Sequence, residues 1–333
     1  MIVFTSSDAA VNALTRLRLR DRSVAWSDPL YMGMVSPHWD LGAFASARAV
    51  AHRSFGWDED KLVEKDFSLR NEFLQEAVSG EEEVALLFGP GVGDQLNLAH
   101  LLAWVTTHAA GVLQRTRLAT SERNLDLLTD EEIGDLLAGA GEIFAAAADQ
   151  YRGAWAAYVS PDPQFLENYL YQAADSPYSG KALNAVKRVL REYPSSENGL
   201  SLTEGQILDC LRLGLESPRE LYEAYSQTEE HCYLRNWDFW AYLDRLAGGE
   251  KPLIETESGT PFLCPPKALA WDLFYGQKLR LTDWGSSVLN GDAMTLCAEG
   301  RWIGGVQLEA GAMWYWDYPR ESLTREAREL ANA

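Results

Sequence analysis

The first 120 residues alternate between short apolar strands and helical stretches, and a chain that alternates in this way is directed toward a parallel sheet. Strand candidates fall at residues 2–5, 24–26, 84–88 and 117–120. Residues 94–104 form the most periodic of the intervening helices. Parallel neighbours need a long crossover, which a helix supplies. Ligands of such sheets sit outside the carboxyl ends of the strands, where successive connections diverge to opposite faces. The loops that follow the strands therefore carry the functional expectation.

The first of these loops is the most specific. After Ile2-Val3-Phe4-Thr5 the chain breaks on Ser6-Ser7-Asp8 and enters a helix. This leaves backbone N–H groups at the positive end of a helix dipole, beside two hydroxyls and a carboxylate. Asp28 lies twenty positions later, after the second strand, where a Rossmann-type domain places an acid for ribose hydroxyls. Asp94 and Gln95 open the helix after the third strand. The candidate ligand-binding set is thus Ser6, Ser7, Asp8, Asp28, Asp94 and Gln95, drawn from three strand ends. A plainer reading has Asp8 and Asp94 capping helices and Asp28 fixing a turn.

The phosphate-binding signals are incomplete. The chain lacks G-x-G-x-x-G, and Gly89-Pro90-Gly91-Val92-Gly93 lacks the Lys-Ser/Thr ending of a P-loop. It reads as a turn whose missing Cβ atoms admit a close neighbour. Three carboxylates on one rim repel a phosphate unless Mg²⁺ or arginine offsets them, and Arg48, Arg53 and Arg70 lie in the intervening segment. No metal-ligand motif and no cofactor is assigned. His38, His52, His100, His108 and His231 form no H-E-x-x-H cluster and read as packed or surface residues, with His38 beside the Gly33 loop the best exception. No nucleophile elbow or Ser-His-Asp order is present.

A net charge of −20, spread over both halves, repels free nucleic acid. No apolar run approaches the ~18 residues that span a bilayer, and no signal segment opens the chain, so a cytoplasmic protein without membrane contact is expected. Cys210, Cys232, Cys264 and Cys297 include no C-x-x-C pair and read as reduced, buried thiols.

The length of 333 residues favours more than one domain. Residues 1–125 form the expected α/β domain. A helical, Ala-rich region and linker covers 126–197, ending at Pro194-Ser195-Ser196-Glu197-Asn198-Gly199. In 198–333, Ser201-Leu202-Thr203-Glu204 and Ser217-Pro218-Arg219-Glu220 each open a helix. A third helix from about 237 to 246 and strands at 252–256 and 278–282 complete a winged-helix-like α+β plan. The polar positions of that third helix are Asp238, Asp244 and Arg245, a poor set for a DNA groove. Trp237, Trp240, Trp271, Trp284, Trp302, Trp314 and Trp316 read chiefly as core packing, with any exposed members open to a partner.

Several motifs resemble those of the bacterial domain of unknown function 1835 family. Its first strand is similar in ending on Asn-Gly-Asp-Ser, here Ser6-Ser7-Asp8-Ala9. Its Trp-x-Asp-x-Leu-x-x-Gly-Pro resembles Trp26-Ser27-Asp28-Pro29-Leu30-Tyr31-Met32-Gly33-Met34, and its Asp-Gln-Leu resembles Asp94-Gln95-Leu96. Its Tyr-Pro-Ser…Asn-Gly-Leu-Ser-x-Thr-Glu linker resembles Tyr193-Pro194-Ser195 with Asn198 to Glu204. Arg301-Trp302-Ile303-Gly304-Gly305 and Trp314-Tyr315-Trp316-Asp317 are similar to its C-terminal signatures. The family's Trp-Phe-Glu-His-Asp is replaced by Leu87-Phe88-Gly89-Pro90-Gly91, and its Pro-Phe-x-Gly-Asp by Cys232-Tyr233-Leu234-Arg235-Asn236. The resemblance implies a two-domain protein, carries no activity with it, and removes an acid/base set that relatives hold.

The expectation is a Rossmann-like parallel sheet with helices on both faces, a helical middle region, and a C-terminal winged-helix-like α+β domain. The expected role is binding of a small polar or nucleotide-like ligand at the sheet rim, compatible with transferase or hydrolase chemistry. Replacing Asp8 or Asp28 by Asn is then expected to spare the fold. The alternative is a non-enzymatic regulatory or scaffold protein that uses the winged-helix-like domain for protein contacts.

Overall fold

The computed structural model describes residues 1–18, 22–56, 62–178, 180–231, 233–265, 271–296 and 300–328. It divides into two compact units. One comprises most of the first 188 residues with Gly304–Val306, and the other holds Val189–Ile303 and the stretch from Gln307.

In the first unit the strands are β1 (Ile2–Thr5), β2 (Arg22–Ala25), β3 (Val84–Phe88), β4 (Thr116–Thr120) and β5 (Gly141–Glu142). The helices are α1 (Asp8–Arg16), α2 (Leu41–Ser54), α3 (Leu62–Ser79), α4 (Val92–His108), α5 (Asp130–Ala138), α6 (Ala145–Tyr158), α7 (Gln164–Ala173) and α8 (Gly180–Leu190). Strand order is β2-β1-β3-β4-β5. β1 to β4 pair in parallel, whereas β5 runs antiparallel to β4. The sheet is therefore mixed, a correction to the all-parallel expectation, because the two-residue β5 follows α5 by a short return with no crossover.

Alternation along the strands sends side chains to two covers. Val3, Ala85 and Leu87 pack with Ala10, Ala13 and Leu14 of α1 and Ile133 of α5. Phe4 turns the other way and meets Trp26 edge-on, and Trp26 in turn meets His100 of α4. Full burial of Val3, Leu14, Leu87 and Ile133 contributes about 1.5–3 kcal/mol each. The helices at 130–188 continue this unit: His100 of α4 stacks on Trp155 of α6 at 4.6 Å, and Tyr151 of α6 bonds Gln95 of α4.

In the second unit Ser201 and Ser217 close the capping boxes read from the sequence, opening α9 (Leu202–Arg212) and α10 (Pro218–Thr228). α11 (Asn236–Leu246) follows, and β6 (Ile254–Thr256) pairs antiparallel with β7 (Leu279–Leu281).

Candidate functional site

The order β2-β1-β3-β4 places the switch of connection direction between β1 and β3, and their carboxyl ends are where Ser6, Ser7 and Gly89 lie. The rim there is filled by its own atoms. Ser6 Oγ accepts from Gly89 N at 3.4 Å. Ser7 is the N-cap of α1, accepting from Ala10 N at 3.2 Å while its hydroxyl donates to Asp126. Asp8 stands one residue inside the helix and is exposed, so the capping expected of it belongs to Ser7.

Gln95 is buried, donating to Gly89 O at 2.6 Å and accepting from Tyr151 OH at 3.0 Å. The Asp94 carboxylate occupies the space that a Cβ on Gly89 would fill, and the Tyr31 ring lies where one on Gly93 would reach. The neighbours admitted by this glycine turn are thus side chains of the same unit.

Asp28 is fully withdrawn from solvent on the loop after β2. Arg48 of α2 grips it through two bonds, Nε to Oδ2 at 2.7 Å and Nη2 to Oδ1 at 2.9 Å, and His52 Nε2 lies 3.0 Å from Oδ1. Arg48 also donates to the carbonyls of Pro29, Met32 and Met34 at 2.8–3.1 Å, which employs all five of its N–H groups. Asn97 Nδ2 holds the Asp28 carbonyl at 2.7 Å, and Tyr158 OH holds Leu30 O at 2.8 Å. Burial raises the Asp28 pKa, but Arg48 and His52 outweigh it and hold the carboxyl far below the usual range. Asp28 anchors the loop, and its replacement by Asn is on this geometry expected to cost stability rather than spare the fold.

Behind this pair lies a second buried cation. Arg70 of α3 is 2% exposed, with Cζ 4.5 Å from the Trp26 ring and 3.6 Å from the Phe67 ring. Its Nε and Nη1 have no hydrogen-bond partner, and neither do Trp26 Nε1, His100 Nδ1 or Asn97 Oδ1. Burial pulls the Arg70 pKa down to about 9; Arg48 adds to the fall, and Asp28 and Asp66 oppose it. His100 is likewise held well below the ordinary histidine value, by burial first and then by Arg70. Such buried orphans are costly and rare in native proteins, where each calls for a specific explanation such as an ordered water, an ion or a functional role.

His52 and His100 are the histidines that structure draws into this cluster, whereas His38 is exposed. A sequence signal existed for one of them: Arg48 and His52 are four apart, hence on one helical face, and both meet Asp28. Arg70 left no comparable mark. Among the described residues no group of three or more His, Cys, Asp or Glu side chains is placed to hold a metal ion, and no helix is long and apolar enough to cross a membrane.

In the second unit the linker and the Arg301 signature meet. Glu192 accepts from Thr203 and from Tyr242 OH at 2.9 Å, and Arg301 Nη1 lies 3.7 Å from Glu192 and 3.4 Å from Glu204. Both carboxylates are buried, so these motifs hold structure. The tryptophans divide: Trp240 and Trp316 are buried, Trp284, Trp302 and Trp314 are partly exposed, and Trp237 and Trp271 are open. Cys210 and Cys264 are buried thiols, while Cys232 and Cys297 fall outside the described residues. No family model matches this chain, and no curated protein matches it significantly.

Proposed function

We propose that the protein binds a small polar ligand with an anionic group, nucleotide-like in character, at the β2 side of the sheet's carboxyl end. The observation that carries this reading is Arg70, a buried guanidinium whose Nε and Nη1 have no hydrogen-bond partner, with the Trp26 ring beside it and that ring's Nε1 likewise unpaired. A phosphate or carboxylate oxygen would satisfy donors of this kind, and the pairing would recover much of the cost of burying the charge. The Arg48–Asp28 pair keeps the neighbouring carboxylate from repelling the ligand. Ser6, Ser7, Asp94 and Gln95 then shape the rim, with Asp8 the exposed carboxylate of the set.

The Rossmann-like description of the first unit, the winged-helix-like description of the second, and descent from the domain of unknown function 1835 family belong to the same proposal. The three helices and two-stranded ribbon of residues 202–281 support the winged-helix-like part. Nucleic acid is not proposed as a partner, given the −20 charge. A thermal-shift screen of inorganic phosphate, nucleotides and small carboxylates at fixed ionic strength tests the ligand, since specific binding raises the midpoint by mass action.

One observation favours the non-enzymatic alternative. Trp237 and Trp271, 41% and 46% exposed, meet edge-to-face at 5.3 Å on the second unit. An aromatic pair left open in this way suits a protein contact. Trp237→Ser with Trp271→Ser would leave the thermal-shift response intact under the first reading and abolish a partner interaction under the second.

A further inference from the structure

A groove of about 850 Å³ opens on the first unit between the start of α2, the outer face of α3 and the end of α4. Its size is within the range of small-molecule sites. One wall is aromatic: Trp104 Nε1 donates to Trp39 O at 3.0 Å, and the His108 ring lies 5.7 Å from Trp39 and 5.2 Å from Trp104. The lining also carries Glu72 and Glu76, four residues apart on α3 and both exposed, and Asp40.

These charges survive their local bonds unequally. Asp40 accepts from Ala43 N at 2.7 Å as a helix cap, which leaves its charge in place. Glu76 pairs with Arg22 at 2.6 Å, but both are half exposed and solvent screens the pair. The carboxyl end of the 17-residue α4 adds partial negative charge beside His108. Among the described lining residues neither Lys nor Arg occurs, and His108 is the sole base.

We propose that this groove binds an aliphatic polyamine. Its ammonium groups would lie against Glu72, Asp40 and Glu76, and its methylene chain along the indoles of Trp39 and Trp104. A cation near an indole face gains from the ring quadrupole, and aliphatic carbon gains by leaving water. An anion would meet three carboxylates, and an uncharged ligand would leave them unmatched. The −20 net charge raises the local concentration of such a cation. This site is separate from the Arg70 cluster and does not rest on it.

Titration calorimetry with spermidine tests the proposal, using the whole protein at constant ionic strength. Saturable one-to-one binding is expected, weakened roughly tenfold or more by Glu72→Gln/Glu76→Gln and by Trp39→Ala. An uncharged diol of similar length is expected not to bind. The pair Glu131→Gln/Glu309→Gln, which changes net charge equally on exposed sites elsewhere, is expected to bind as wild type. Thermal midpoints of each variant show that it is folded. Absence of saturable binding, equal binding by the diol, or equal losses in both charge pairs overturns the proposal. Tighter binding of a lysine-containing peptide than of spermidine assigns the groove to a protein partner and overturns it as well.

Discussion

Asp28 and Arg48 form a two-pronged ion pair, 2.7 and 2.9 Å long, with neither side chain open to solvent. The pair joins the loop after β2 to the middle of α2, and Arg48 then fixes three loop carbonyls. Removing one partner strands the other as a buried charge. Asp28→Asn and Arg48→Met are therefore each expected to cost about 3–5 kcal/mol in chemical denaturation, and Asp28→Leu/Arg48→Met recovers only part of the loss, because the carbonyls of Pro29, Met32 and Met34 lose their donor. A change below about 1 kcal/mol for Asp28→Asn would show that the pair contributes little.

Asp8 sits in the first turn of α1 with its side chain exposed. Its charge meets only the helix dipole there, so Asp8→Asn is expected to cost about 0.3–1 kcal/mol, less in high salt. Denaturation at two ionic strengths measures this. Ser7→Ala, which removes the cap and the bond to Asp126, is expected to cost more, about 1–2 kcal/mol.

Stability is expected to fall as the pH drops below about 6.5, the ordinary histidine value, because His100 stays neutral in the fold and takes up a proton when the chain unfolds. Its folded pKa is depressed, so the contribution is present above the unfolded value and is lost on acidification. Asp28, also depressed, adds a second loss below about pH 4. His100→Phe preserves the stacking with Trp155 and Phe44 and is expected to flatten the first slope alone. Denaturation curves between these limits for the two proteins decide the matter.

The first four strands and the helix starts at Ser201 and Ser217 were legible because they rest on local patterns: apolar runs, Ser-x-x-Glu spacing and helix breakers. Ile2–Thr5 and Val84–Phe88 are continuously buried strands, and Ser201 and Ser217 carry their Glu three residues on. β5 was not legible, since a two-residue edge strand has no periodicity. The position of Asp28 could be read, but not its burial, which depends on Arg48 and His52 arriving from another helix. Arg70 was only one of three arginines available to offset charge. Its isolation is a tertiary fact: Phe67 and Trp26 cover it, while Asp28 is already engaged by Arg48.

Arg301 is expected to be the counterpart of Arg48 in the second unit. Arg301→Met leaves Glu192 and Glu204 buried with one fewer cation and should lower stability by about 3 kcal/mol. Trp302→Ala, at a partly exposed position, should cost less than the ~3–5 kcal/mol of a buried aromatic. Denaturation followed by tryptophan fluorescence ranks the two, and a larger loss for Trp302→Ala would contradict this ordering.

Arg70 is proposed to hold the ligand's anionic group, and titration of the strongest anion from the thermal-shift screen into wild type and Arg70→Met separates that role from a purely structural one. Methionine keeps much of the stem and removes a buried charge that lacks full hydrogen bonding, so the variant is expected to fold at least as stably as wild type. Arg70→Met is expected to lose anion binding by a hundredfold or more, about 2.7 kcal/mol, while Arg70→Lys retains part of it. Binding of the anion to folded Arg70→Met with wild-type affinity would show that Arg70 does not hold it.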